Sequence, residues 1–424
     1  MTCTKTVIMK KNMILALAAL CMWACGQSTE QNETDYTQLS DEERLEIAHE
    51  IANSTIIVDG HMDLPLRIYS QTDGNPELTY DFINRQAEGN IDYVRAREGG
   101  VDAPFMAIYI PASYQETGGA IGLADTLIMM VEKLASSWPD KIAMAYSPQD
   151  IKDNFEKGLL SLPMGIENAA AIEDDLSNLE YFFEKGIRYM TLTHGKDNLV
   201  GDSSYDDSET HGGLSDFGKE VVKEMNRLGM IIDVSHITDK TFFDVAEVSK
   251  APIVATHSSV RNFTPGFERN VSDEIIKKIA EKDGLVMITF GGSFLDQAYA
   301  DANAEIRAHI VRWLEENNLT YRDAEAQEYI RQYSADKKPS VHVSKVAEHI
   351  DHVIKLVGID HVGLGSDFDG VGDTLPEGLK DASMYPNLIA ELLKLGYSKE
   401  EIEKICSDNF FRVWEKILSV AEEG

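Results

Sequence analysis

His61 and Asp63 stand two positions apart at the end of a short apolar run that reads as a β-strand. Glu167, His194, His236, His257 and Asp367 each stand at the end of a later run of the same kind. Imidazole nitrogens with carboxylate oxygens suit zinc, and the lack of a cysteine among them argues for a water-accessible catalytic site over a closed structural one. Side chains alternate along an extended segment, so His61 and Asp63 can face the same way. Alone this tripeptide is a weak motif. With Glu167, His236 and His257 it makes five ligands, too many for one catalytic zinc with an open position and natural for two ions sharing a carboxylate. Such a pair binds water and lowers its pKa toward neutrality, which supplies a nucleophile. The alternative, ordinary packing, is costly, because unpaired charges converging on one rim carry a desolvation penalty that a cation removes.

Other histidines sit elsewhere in the pattern. His49, His309, His342, His349 and His352 fall in helical stretches and His361 at the far end of the last strand, so these read as structural or solvent-exposed. Asp233, three residues before His236, is open between orienting a ligand, capping a helix and joining a buried ion pair.

A scaffold must bring these side chains together. Eight apolar runs, 56–58, 105–110, 159–166, 189–193, 230–234, 253–256, 285–290 and 362–365, alternate with amphipathic stretches. In 216–228, Phe217, Val221, Val222, Met225 and Leu228 repeat at helical spacing. Eight strands with crossover helices close most simply into an α/β fold, a single (β/α)8 TIM barrel over 42–424, whose active site belongs at the carboxyl ends of the strands. Residues 292–340 break the rhythm with two charged helical patterns, an insertion after strand seven that can serve as a lid, a homodimer contact or decoration. The pattern at 400–421 finishes the barrel.

Lys10 and Lys11 precede an apolar run at 13–24, too short to span a bilayer and fit for a signal-peptide core. Ala24-Cys25-Gly26 resembles the site at which bacterial lipoproteins are cut and acylated, making 1–25 a leader and Cys25 the lipidated residue. A plain secretory signal is the alternative. Residues 26–41, rich in Gln, Ser, Thr, Asn and Glu, read as a flexible tether. The expected location is a bacterial envelope, facing out of the cytoplasm, with the membrane reached by the lipid alone. Only Cys406 then remains as a free thiol, so no internal disulfide can form. Against 39 Lys and Arg stand 72 Asp and Glu, a net charge of −33, which argues against nucleic-acid binding.

The segments VDGHMDLP from residue 58, LPMGIENA from 162, RYMTLTH from 188, GGLSDFGKEVVKEMNRLGMIIDVSH from 212, ATHSS from 255, RNVSDE from 269 and GLGSDFDGV from 363 occur in that order. They resemble the membrane (renal) dipeptidase family of zinc metallopeptidases, within the wider amidohydrolase group. The resemblance covers residues 45–420. It implies two zinc ions per chain, one on His61 and Asp63, the other on His236 and His257, with Glu167 bridging. It further implies that His194 contacts the scissile carbonyl oxygen, Arg269 holds the substrate's terminal carboxylate and Asp367 handles the proton.

The activity so implied is hydrolysis of L,L- or L,D-dipeptides by a metal-bridged hydroxide. A rival is an amidohydrolase acting on another small amide, lactam or ester, since fold and metals do not fix the substrate. A third reading is a surface lipoprotein that binds metal without catalysis. Two departures from the family, Asn198-Leu199-Val200-Gly201-Asp202-Ser203 after His194 and Phe105-Met106 on strand two, lead us to expect an altered pocket lining.

Overall fold

The computed structural model describes residues 35–423 apart from 322, 335, 336 and 338. The expected leader, its Cys25 and the expected tether through residue 34 lie outside the described residues. The tether's last stretch is ordered: a single helical turn at Tyr36–Gln38 leads to Ser40, which caps the helix Asp41–Ser54.

Eight parallel strands make one sheet: β1 (Ile57–Met62), β2 (Val101–Tyr109), β3 (Met164–Glu167), β4 (Ile187–Thr191), β5 (Ile231–Asp233), β6 (Ile253–Ala255), β7 (Leu285–Ile288) and β8 (Val362–Leu364). Each pairs with the next in chain order. The circuit closes just past β8, where Met62 bridges Phe368, Asp63 N donates to Phe368 O at 2.8 Å and Asp367 N to His61 O at 3.0 Å. This is the TIM barrel that the alternation predicts, and its strands read as apolar runs because nearly every strand residue is buried. The helix α1 (Asp216–Leu228) follows the same logic. Ser215 caps its start, left-handed Gly229 ends it, and Val221, Val222 and Met225 are buried.

One expected strand is two. The 159–166 run breaks at Pro163: Leu160–Leu162 pairs with Ile142–Met144 in a separate two-stranded sheet, and only Met164–Glu167 joins the barrel. Proline has no N–H for a ladder, while its carbonyl still accepts from Met106 N at 2.8 Å, so the chain changes sheets there.

Between β7 and β8 lie α2 (Gln297–Asn317), α3 (Ala324–Ser334) and α4 (Ser344–Val357). The first two form a hairpin with its own small core of Ile306, Ile310, Leu314 and Ala326. His342, expected in a helix, lies outside one; it pairs with Glu377 in an isolated bridge ahead of α4. The barrel floor is filled by the last helix, α5 (Asn409–Glu423): Phe410 and Trp414 lie 5.3 and 5.6 Å, ring to ring, from Phe105. Among the described residues no helix is long and apolar enough to cross a membrane.

Candidate active site

The strand ends bring His61, Asp63, Glu167, His194, His236, His257 and Asp367 together at one mouth of the barrel, and the loop after β6 adds Arg269. Asp63 is not part of the extended strand, since β1 ends at Met62 and Asp63 turns the chain into the helix Leu64–Gln71. Its carboxylate still faces the His61 ring, with Oδ2 3.6 Å from Nε2. Glu167 lies at the centre. Its Oε1 is 3.1 Å from Nε2 of both His236 and His257 and 3.7 Å from Nε2 of His194, and its Oε2 is 3.6 Å from Nε2 of His61. Its two oxygens therefore face different sets of rings.

Among the described residues, three groups of donors each bring one ligand atom per residue within 4.8 Å of one another: His61, Glu167 and His257; Glu167, His194 and His236; His61, Asp63 and Asp367. Proximity alone thus places His194 and Asp367 among the donors, beyond the five expected ligands.

Backbone and neighbours hold the set in place. His236 and Asp367 adopt left-handed backbone, φ +72° and +63°, which costs energy for residues with a side chain. The His236 carbonyl offsets this by accepting from Ser204 N at 2.7 Å and Ser204 Oγ at 2.9 Å. Asp59, fully buried within β1, accepts from His61 N at 2.9 Å, from Ser366 N at 3.0 Å and from the Tyr385 hydroxyl. Burial pushes the Asp59 carboxyl up to about 6. His61 Nδ1 is 2.7 Å from the Tyr189 hydroxyl, and His257 Nδ1 is 2.8 Å from Thr256 Oγ1.

The donor chemistry fits divalent cations. His61 Nε2 and His236 Nδ1 are buried with no hydrogen-bond partner, and the His236 and His257 Nε2 atoms face each other at 3.0 Å. Burial, with Arg269 and His194 nearby, holds the His236 pKa well below the usual imidazole range, and burial with His61 nearby lowers that of His257. Burial opposes the charge of His61, but Glu167 and Asp63 carry its pKa well above the usual range. Burial likewise opposes the charge of Glu167, and the rings of His194 and His61 outweigh it. His236 and His257, held neutral beside the Glu167 carboxylate, are thus in the state in which imidazoles bind metal, while the two carboxylates beside His61 favour a cation there, a proton or a metal.

Arg269 is 2 % exposed and has no carboxylate partner among the described residues. It donates to Ser258 Oγ and to the His257 carbonyl, both at 2.8 Å, and sits 3.0 Å from His236 Nε2. A buried, unpaired guanidinium beside the donor set calls for an anion. His194, one-quarter exposed, meets the edge of the Tyr109 ring at 4.6 Å.

The expected pocket lining needs correcting. Phe105 packs on the barrel floor against Tyr189, and Met106, level with Met62 at the end of β1, faces the opposite way into the main core, because successive side chains alternate along β2. Asn198, Asp202 and Ser203 are buried braces: Asn198 Nδ2 donates to Asn168 Oδ1 at 2.9 Å, and the Ser203 hydroxyl donates to the His194 carbonyl. Sequence reading missed Tyr189, Thr256 and Ser258. The one available signal was that Thr256 and Ser258 adjoin His257.

The family model for membrane dipeptidase (Peptidase family M19) matches residues 45–424. Dipeptidase tcpJ of Claviceps purpurea is 32 % identical over 86 % of this chain and 77 % of its own length. An uncharacterized dipeptidase of Schizosaccharomyces pombe is 31 % identical over 87 % and 82 %. Among solved structures, the probable dipeptidase PvdM from Pseudomonas aeruginosa superposes with a TM-score of 0.75 at 26 % identity, covering 90 % of this chain and 100 % of that one. A metallopeptidase from Rhodobacter sphaeroides, liganded with a phosphinate mimic of the dipeptide L-Ala-D-Ala, gives 0.68 at 26 %, covering 86 % and 99 %.

Proposed function

The chain belongs to the membrane dipeptidase family, Peptidase family M19, and from that premise we propose that it hydrolyses free dipeptides, L,L and L,D, with two zinc ions per chain. It is a hydrolase of the metallo-dipeptidase type. The observation that carries the substrate reading is the unpaired Arg269 beside a Glu167 carboxylate that faces His61 on one side and His236 and His257 on the other.

His61 and Asp63 would hold one ion, His236 and His257 the other, and Glu167 both. Bound zinc supplies a water of lowered pKa and polarises the amide carbonyl. The protein does the rest. Arg269 pairs with the terminal carboxylate, a charge-assisted contact that favours dipeptides because a longer chain has no free carboxylate at that distance. His194 donates to the carbonyl oxygen as negative charge develops there. Asp367 accepts the proton of the attacking water and returns it to the leaving nitrogen. We further propose that a lipid on Cys25 holds the enzyme to a bacterial envelope membrane, facing out of the cytoplasm.

The test is metal analysis of the purified protein together with amino-acid release from L,L- and L,D-dipeptides, before and after chelation. Two zinc per chain, chelator-sensitive cleavage of dipeptides and none of tripeptides is the expected result. Cleavage of another amide, lactam or ester but of no dipeptide would move the function within the amidohydrolases. A metal-loaded protein inactive on all of them would leave a binding lipoprotein.

A further inference from the structure

Among the described residues, Tyr109, Tyr205, Phe267 and Phe294 surround the site yet join none of the hydrophobic clusters that build the fold. Three of them make a continuous wall. The rings of Tyr205 and Phe267 are 6.2 Å apart, and those of Phe267 and Phe294 are 5.8 Å apart. Both ends touch the chemistry: the Tyr205 ring is 5.7 Å from the His236 ring, and the Arg269 guanidinium lies 5.4 Å over the Phe294 face.

The wall is built, not incidental. Buried Asn270 donates through Nδ2 to the Phe294 carbonyl and to Thr264 Oγ1, both at 2.7 Å, and so ties the segment bearing Phe267 and Arg269 to the one bearing Phe294. A Cβ at position 291 would meet the Phe294 ring at 2.7 Å and Val371 at 2.9 Å, so Gly291 is what lets that ring fold back. Partly exposed rings fixed in this way gain by being covered with apolar surface.

This inference rests on the reading that Arg269 pairs with the substrate carboxylate. The side chain of the carboxyl-terminal residue branches one carbon from that carboxylate, so it must lie among the groups around the guanidinium. On one side these are the metal-binding rings, on the other the aromatic wall. We propose that Tyr205, Phe267 and Phe294 form the pocket for the side chain of the substrate's carboxyl-terminal residue, and that they favour a large apolar side chain there over hydrogen or an acidic group. An acidic side chain would meet the negative faces of the rings.

The zinc-loaded full chain is assayed on Ala-Gly, Ala-Leu, Ala-Phe and Ala-Asp. The expected kcat/KM for Ala-Phe and Ala-Leu is on the order of 10-fold or more above that for Ala-Gly and Ala-Asp. Phe267→Ala, which leaves the Phe294 face under Arg269, should shrink the Ala-Phe to Ala-Gly ratio by about the same factor, and Tyr205→Ala should shrink it in the same direction. A wild-type preference for Ala-Gly or Ala-Asp overturns the proposal. So does an equal proportional loss on Ala-Phe and Ala-Gly in the variants, the mark of a merely structural role. Failure of the wild type to cleave any dipeptide would refute the reading of the site itself, a result distinct from cleavage with an unchanged ratio.

Discussion

Asp233 reaches His257 through a single hydroxyl. Its Oδ2 is 3.9 Å from His257 Nδ1, and between them Thr256 Oγ1 donates to Oδ2 at 2.7 Å while lying 2.8 Å from Nδ1. A hydroxyl has one hydrogen, and here the carboxylate takes it, so the hydroxyl oxygen can only accept from Nδ1–H. The tautomer of His257 is thereby fixed with the Nε2 lone pair facing Glu167. Asp233 also accepts from Thr191 Oγ1 at 2.5 Å and from Ser235 Oγ at 2.8 Å, which locks it in place. Of the roles open to it from sequence, orienting a ligand is the one this geometry fits; the cap of the following helix is Thr238.

Replacing Thr256 with valine removes the hydroxyl and keeps the shape. Metal affinity at the His257 side should fall by roughly 10–100-fold, as when the partner of a ligating imidazole is lost. Thr256→Ser should restore it. Competition with a chromophoric chelator measures both, and unchanged affinity in the valine variant would show that the hydroxyl does not set the tautomer.

Removing metal should also loosen the fold. Asp63, Glu167 and Asp367 are all buried at one rim, so stripping the cations leaves carboxylates facing one another. Zinc at 100 times its dissociation constant stabilises by about 2.7 kcal/mol per site. Chelation should lower Tm, added zinc should restore it, and Glu167→Gln should blunt the response. A Tm indifferent to chelator in the wild type would contradict the donor set.

What was legible in the sequence followed from burial and position. The strands are largely apolar and buried, so they showed as runs, and the polar residues that end them marked the barrel mouth. What escaped depends on contacts distant in sequence. Tyr189 lies beneath His61 because β4 faces β1 across the barrel, and no local spacing reports that. The departure from the family pattern on strand two points to Phe105 as pocket lining, but such a comparison does not give the depth of a side chain in the barrel. Pro163 was the exception, a visible ladder-breaker within an apolar run read as one strand.

Gly370 has a tighter constraint than chain flexibility. A Cβ there would come within 2.2 Å of both Asp63 Oδ2 and Asp367 Oδ1. Gly370→Ala must therefore push apart two carboxylates at the joined ends of β1 and β8. A displacement near 1 Å in a site of this kind costs on the order of 100-fold in rate. We expect a loss of kcat/KM of that size with a change of under about 1 kcal/mol in the stability of the metal-free protein. Full activity in the alanine variant would mean the carboxylates are free to move.

His349 supplies a stability switch away from the metal donors. It is fully buried on α4, where its Nδ1 accepts from Val260 N and its Nε2 donates to the Leu295 carbonyl, both at 3.0 Å, and its ring stacks on Phe263. Both nitrogens are satisfied only in the neutral form. Burial pushes its pKa down to about 3; the Leu295 carbonyl and Asp296 oppose this, while His352 and Lys345 add to it. In the unfolded chain the pKa is near the ordinary ~6.5. As pH falls, the unfolded state takes up the proton first, so the contribution is intact above ~6.5 and is lost down to about 3. The slope is about 1.4 kcal/mol per pH unit, or roughly 2 to 3 kcal/mol at pH 4.5. Carboxylates whose folded pKa is lowered also lose stability on acidification, but mostly below pH ~5, while Asp59, raised to about 6, acts in the opposite sense. The donor histidines are also shifted from their ordinary values by folding, so the wild-type curve alone does not isolate His349. His349→Gln should therefore be compared by urea unfolding of the zinc-free protein from pH 7 to 5. The variant should start less stable and fall less steeply, by about 1.4 kcal/mol per pH unit; parallel curves would show that His349 is protonated in the folded protein.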